Sequence, residues 1–323
     1  MFEIRHAGVK GFGIFASRSI TRGSRILAER ALLSINNDNP SILAAAAQLS
    51  PLNRAALLRL SLNESKRSAL GLISAAWQSF SLKSMTIGQS RDVLNIFYNN
   101  NFALSDKLGT RAVFPTVARI NHSCVPNSQG NFNESLGSFT IHATNDIARG
   151  EEVTISYLHD ELGLRAARQK NLHKGYGFYC GCELCSGSAQ RQKESHRRRS
   201  DIQMKLRAFA KQQGSVHTPD TASRKLVLTR LIIDTHEQEG LAGRELASLY
   251  LEAARLAMRL DDHALASTLG ARGLELEKDA VGSDSPFYEA SQLAFSQMRF
   301  GEDEILASRP DECEPELSYA PWT

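Results

Sequence analysis

The sequence predicts an α+β chain: a β-rich domain interrupted by a helical insert and followed by a helical carboxy-terminal domain. Three observations carry this reading. Short apolar runs broken by glycine open the chain, with Gly8, Gly11, Gly13 and Gly23 punctuating Phe12, Ile14, Phe15, Ile26 and Leu27. Strand-like, turn-rich sequence returns at residues 112–115, 139–142 and 152–157, so two β segments of like character flank a different middle. That middle, and everything beyond residue 200, repeats its apolar residues at helical intervals.

Taken in order, residues 1–36 form the first β part. Residues 37–105 read as a helical insert, from Leu43, Ala46, Ala47 and Leu49 through Leu57, Leu58 and Leu60 to Leu70, Ile73, Ala76, Trp77 and Phe80, the last two as core residues. Residues 106–160 return to strands, and 161–186 form a cysteine-rich region. The polar run Arg191–Arg199 reads as an exposed helix start or as a basic linker, taken as a linker over 187–200. Over 201–301, Leu246, Leu249, Tyr250, Ala253, Leu256, Ala257 and Leu260 make one stripe and Leu265, Leu269, Gly273, Leu274 and Leu276 the next, joined at Asp261-Asp262. Such a hairpin matches tetratricopeptide-type stacking in the size of its unit. Residues 302–323 are an acidic tail.

Charge and composition exclude several classes. With 38 Lys and Arg against 35 Asp and Glu, net +3, the chain is not built mainly to coat nucleic acid, and direct nucleic-acid binding is not favoured. No run approaches the roughly 20 apolar residues of a membrane span, so no membrane partner is expected. The amino-terminal residues carry no apolar leader, which reads as an intracellular protein of the cytoplasm or nucleus. Its five cysteines are then thiols or metal ligands rather than a disulfide frame.

Cys180, Cys182 and Cys185 put three thiols within six residues, close enough to converge on one ion. Structural Zn2+ takes four tetrahedral ligands, preferably thiolates. The fourth comes from Cys124 or Cys313, with His122 and His173 also available. Cys124 is favoured because the turn Asn121-His122-Ser123-Cys124-Val125-Pro126-Asn127 can hold a thiol fixed, whereas Cys313 sits in the acidic tail and has no assigned role. Metal bound there ties the end of the β domain to that turn, so chelation is expected to unfold this corner.

Gly11-Phe12-Gly13-Ile14-Phe15-Ala16 matches the dinucleotide fingerprint, but the polar turn to Gly23 follows it where the fingerprint needs a helix. The glycines are read as a turn where backbone approaches something closely. Three N-glycosylation sequons, at Asn63, Asn121 and Asn133, are expected to be unused in an intracellular chain.

The order Gly11-Phe12-Gly13, then Asn121–Asn127, then Gly150–Tyr157, then Cys180-x-Cys182-x-x-Cys185, resembles a SET-domain protein lysine methyltransferase with a post-SET zinc site. A split SET domain with a helical carboxy-terminal domain is similar to the SET-and-MYND class. The Cys and His ligands of a MYND module are absent from residues 36–105, so a helical insert stands in its place. The resemblance implies a knotted SET fold, S-adenosylmethionine as cofactor and a lysine channel opening on the opposite face. It implies cofactor contacts from Lys10, Gly11, Phe12 and Gly13, from Asn100, Asn121 and His122, from Phe178 on adenine, and from Tyr157. It implies Tyr157 at the point of methyl passage and Tyr176 as a wall of the channel. The partner implied is a protein or peptide presenting a lysine, histone or otherwise, and a monomer is expected.

These residue types suit methyl transfer from a sulfonium to an amine. The displacement needs no covalent intermediate, only nitrogen, methyl and sulfur held in line. An aromatic channel beside a cation disfavours the ammonium form of lysine, and a tyrosine hydroxyl and backbone carbonyls orient the amine. Two other readings use the same residues: a SET scaffold acting as an interaction protein, and a SET enzyme with a small-molecule acceptor.

Overall fold

The structure is a computed structural model that describes residues 1–36, 38–63, 86–105, 109–212 and 219–300. The expected helical pattern from Leu70 to Phe80 and the acidic tail with Cys313 lie outside the described residues.

Strands β1 (Phe2–His6) and β2 (Phe12–Ala16) pair antiparallel around a short turn in which Gly11 takes φ 79°. A four-stranded sheet continues from β2 to β10 (Glu152–Ile155) and then to β7 (Asn121–His122), which runs parallel to β10 with Asn121 opposite Thr154 and His122 opposite Ile155. A second sheet, β3 (Arg25–Glu29), β9 (Ser138–Ala143) and β8 (Ser128–Asn133), is antiparallel throughout. Ile14, Ile20, Phe114, Ile120, Ile141, Ile147 and Val153 form the core beneath these sheets.

The insert supplies α1 (Asn39–Gln48), α2 (Pro51–Leu58) and α3 (Ile87–Asn100). Their starts carry side-chain caps: Asp38 accepts from the Ser41 N–H, Ser50 from Asn53, and Thr86 with Gln89 completes a capping box. Ile42, Leu43, Ala46, Leu57 and Phe97 bury against Val113 of β6 (Thr110–Val113), so the insert has its own core on the edge of the β domain. The insert is not helical to residue 105: Asn101–Ser105 is β5, paired with β6, whose other neighbour is β4 (Leu33–Asn36). The cause is Phe102, whose ring lies 4.8 Å from Phe139 and 6.1 Å from Phe114 in the β core.

Beyond β10 come α4 (Arg165–Tyr176) and the single turn α5 (Glu183–Ser186). Of the two readings of 187–200 the structure corrects the linker and keeps the helix start, making Ala189–Gln212 one helix, α6. Its basic run is not solvated throughout, because Arg199 is 1% exposed and its Nε meets Glu239 Oε2 at 2.8 Å. Four more helices follow: α7 (Pro219–Glu239), α8 (Arg244–Met258), α9 (His263–Val281) and α10 (Pro286–Phe300). Helices α8 and α9 are the expected hairpin, turned by Asp261 at φ 58° and capped by Asp262, which accepts from the Leu265 N–H. Helix α9 docks on the second sheet: Asn131 donates to the Ala280 carbonyl at 3.1 Å, Asn133 to that of Asp284 at 3.1 Å, and Arg25 pairs with Asp284.

Candidate functional site

Parallel pairing of β7 with β10 brings the separated motifs to one place. The Sγ atoms of Cys124, Cys180, Cys182 and Cys185 all lie within 4.8 Å of one another, with Cys124 3.6 Å from Cys185 and 3.9 Å from Cys180. Leu172 and Leu184 close the cluster from outside. The proton load is uneven: hydrogen bonds from Cys124 and its neighbours pull the Cys182 thiol far below the ordinary range and that of Cys185 to about 6. Arg168, 3% exposed, points Nη2 at Cys185 Sγ from 3.7 Å. Burial works against its charge, yet the sulfurs of Cys124 and Cys185 outweigh burial and hold the guanidinium protonated. A buried cation of this kind needs negative charge nearby, which thiolate sulfurs supply together with Asp160. Gln169 fixes the loop by donating to the Cys180 carbonyl and accepting from its N–H, both at 2.8 Å.

The aromatic residues meet beside the thiols. Tyr157 lies 4.8 Å from Tyr176, 6.4 Å from Phe178 and 5.4 Å from His122, ring centre to ring centre. Its hydroxyl donates to the Ile120 carbonyl at 2.6 Å, and burial followed by the neighbouring Tyr176 raises its pKa above the ordinary phenol value. The group is therefore a neutral phenol, a hydrogen-bonding post and not a base. His122, 6% exposed, joins both clusters: Nδ1 accepts from the Tyr157 N–H at 3.0 Å, which leaves the Nε2 proton to face Cys124 Sγ at 3.3 Å. Burial pushes its pKa down to about 4, so the ring is neutral near pH 7.

On the other side of β7, Asn121 donates to the Phe12 carbonyl at 3.2 Å and to Glu152 Oε1 at 2.8 Å, and Lys10 pairs with the same carboxylate. A Cβ on Gly13 would lie 2.8 Å from Glu152 Oε1 and 2.9 Å from Asn121 Nδ2, so only glycine fits there. Phe12 is 53% exposed at the tip of the turn. Asn127 locks β10 in place, accepting from the Thr154 N–H and donating to the Glu152 carbonyl, both at 2.9 Å. Asn100 sits apart in the contacts it makes: its amide donates to the Ile96 and Ser61 carbonyls at 2.7 and 2.8 Å, closing the end of α3. His173, once a possible ligand, stacks on Tyr179 at 4.5 Å instead. Glu152, Arg168 and Gln169 went unrecognised in the sequence, where a single charged or amide residue carries no spacing signal.

A SET domain family profile matches residues 11–158, which takes in Gly11–Gly13, Asn121, His122 and Tyr157. The histone-lysine N-methyltransferase set5 of Schizosaccharomyces pombe is 30% identical over 280 residues, 86% of this chain and 78% of that protein. The chain belongs to the SET-domain family. Other SET-domain relatives are matched over less: SET5 of Meyerozyma guilliermondii is 31% identical across 47% of this chain, and the N-lysine methyltransferase SMYD2 of Gallus gallus 29% identical across 53%. The chain spans 29% and 38% of those two proteins. The likeness to set5 extends beyond the SET profile and so takes in much of the helical carboxy-terminal region. No helix among the described residues is long and apolar enough to cross a membrane.

Proposed function

We propose that this SET-domain protein transfers a methyl group from S-adenosylmethionine to a lysine of a protein substrate, working as a monomer in the cytoplasm or nucleus. The observation that carries the reading is the joining of two clusters through two adjacent residues: Asn121 on the Lys10–Gly13 turn, and His122 on the Tyr157 backbone. The SET halves are residues 1–36 and 106–160 around the insert, with a post-SET region at 161–186 and a tetratricopeptide-like domain after it.

Bound S-adenosylmethionine supplies a methyl group on a sulfonium. Lys10, Gly11, Phe12 and Gly13 would hold it through backbone groups, with Asn121 and the His122 backbone beside them and Phe178 against its adenine. A turn packed too tightly for a Cβ at Gly13, yet exposed at Phe12, fits a backbone cradle of this kind. Asn100 joins this set only if its carbonyl oxygen does so, since its amide donors are engaged. Tyr157 and Tyr176 wall the channel. Their aromatic faces desolvate the incoming ammonium and favour its neutral form, and the neutral Tyr157 hydroxyl orients the amine.

Zn2+ suits the four thiols. Zinc–sulfur bonds of about 2.3 Å set tetrahedral sulfurs roughly 3.8 Å apart, and the 3.6 and 3.9 Å separations of Cys124 from Cys185 and Cys180 agree with that. The buried Arg168 offsets the excess negative charge of four thiolates on one divalent ion. Such a site is structural, fixing the aromatic wall through His122.

The test incubates the full chain with labelled cofactor and core histones or cell lysate, comparing wild type with Tyr157→Phe and Asn121→Ala. Wild type is expected to label protein. Y157F should retain cofactor binding and lose about 10²-fold in transfer, the scale for removing one positioned hydrogen-bonding group, while N121A should weaken cofactor binding itself. Cofactor binding without label on any protein would turn the reading towards a scaffold or a small-molecule acceptor.

A further inference from the structure

A second cluster lies away from the thiols, where the SET domain meets the helical domain. Glu161 belongs to the segment after β10, His236 to the last turn of α7 and Glu245 to the first turn of α8. One ligand atom from each of the three lies within 4.8 Å of the others. His236 is 0% exposed and its Nε2 makes no hydrogen bond; Glu245 Oε1 is 3.6 Å from it. Its Nδ1 faces the Ile232 carbonyl at 3.0 Å. That contact is favourable when Nδ1 carries the proton, and then Nε2 turns a lone pair towards two carboxylates. Three electron-rich atoms converging in this way are stabilised by a cation between them, either a proton on the ring or a metal ion.

We infer that Glu161, His236 and Glu245 form a second metal site, for a borderline divalent ion such as Mn2+ or Zn2+, which clamps the helical domain to the SET domain. Three observations separate it from a fortuitous acidic cluster. The imidazole is wholly buried and aimed into the group with its donor atom unused. The other ring nitrogen is held by a backbone carbonyl, the arrangement that orients metal-binding histidines. Among the described residues neither carboxylate makes an ion pair with Lys or Arg, Arg199 near Glu161 being engaged by Glu239. Metal bonds of about 2.0–2.2 Å bring donors within roughly 4 Å of each other, a small closure from the present spacing. One nitrogen with two carboxylate oxygens favours Mn2+ or Zn2+ over the all-oxygen preference of Mg2+ and Ca2+.

Glu161 and Glu245 also line a cavity of about 300 Å³ shared with Gln129, Ser156 and His159. The ion would thus keep an open side facing the cavity, for water or for an anionic group of a bound ligand.

Mn2+ separates this site from the thiols, which it binds poorly. Chain loaded with a single equivalent of Zn2+, which the four thiolates take in preference, is titrated with Mn2+ and free ion read by electron paramagnetic resonance. One saturable Mn2+ per chain is expected, weakened roughly 100-fold in both Glu161→Gln and Glu245→Gln. Glu245 has a 39% exposed side chain, so E245Q decides the matter should E161Q misfold. Absence of saturable binding in wild type, or equal binding in wild type and a folded E245Q, overturns the site and leaves a proton as the cation. The readout does not depend on methyl transfer, so it stands or falls apart from the proposed activity.

Discussion

The Glu239→Gln substitution tests the claim that the basic run is built into the fold. The Glu239 side chain is 0% exposed; Oε2 accepts from Arg199 Nε at 2.8 Å and from Ser195, and Oε1 from Arg198 Nε at 2.7 Å. Arg199 also donates to the Glu161 and Gly163 carbonyls, at 2.6 and 3.2 Å, so it pins α6 and α7 to the segment leaving the SET domain. Removing the carboxylate's charge leaves that guanidinium buried with neutral partners, the carbonyls and the Ser195 hydroxyl. Breaking a buried pair from one side costs about 3–5 kcal/mol, and at roughly 2 °C per kcal/mol for a long chain the melting midpoint should fall by about 6–10 °C. Arg198 has a 25% exposed side chain, so Arg198→Ala should cost only about 1 kcal/mol. Thermal melts followed by far-UV circular dichroism read both. The pH dependence has a fixed sign. Burial raises the Glu239 pKa, but the Ser195 hydrogen bond and the Arg199 charge together outweigh it and hold it below the ordinary value. The resulting stability is present above the unfolded carboxylate pKa and is lost as pH falls through the folded one, and E239Q should lack that loss. An E239Q midpoint within about 2 °C of wild type would refute the reasoning.

Two further outcomes follow from the same structure. Stripping metal with a strong chelator should release Zn2+ and speed hydrogen exchange at 121–127 and 180–185 while the α8–α9 hairpin stays protected; zinc-free protein with unchanged exchange would remove the metal from the account. Gly243→Ala should cost about 1–3 kcal/mol, because Gly243 holds φ 121° and a Cβ there strikes Gln129 Oε1, which accepts from the Arg244 N–H at 2.8 Å; a melt unchanged from wild type would count against that strain.

What was legible in the sequence was what lies close along the chain. Three cysteines within six residues were legible as one thiol cluster because their spacing is the geometry. Asn121–Asn127 was legible as a turn, and its Cys124 does meet the other three thiols. The burial of Arg199 within the run 191–199 was not legible because its partner, Glu239, lies 40 residues away, and nothing local distinguishes a solvated arginine from a paired one. Asn101–Ser105 was misread for a like reason: it follows a helix directly, and its strand pairing is decided by Phe114 and Phe139 across the core. Arg168 lies four residues before Leu172 on the buried face of α4, a position where periodicity expects an apolar residue. The sulfurs beyond it, with the Gly163 carbonyl, explain the charge.

The two-residue strand β7 has a consequence for how this SET domain can change. Successive side chains of a strand point to opposite sides, so Asn121 turns towards the glycine turn and Glu152 while His122 turns towards the thiols and Tyr157. Pleat parity alone keeps the two chemistries apart, with no wall of protein between them. Inserting or deleting one residue just before β7 would exchange the two environments, offering an amide to the sulfurs and an imidazole to Glu152. Length in the stretch between β6 and β7 is therefore constrained more tightly than composition, and there a single-residue indel would be more damaging than most substitutions.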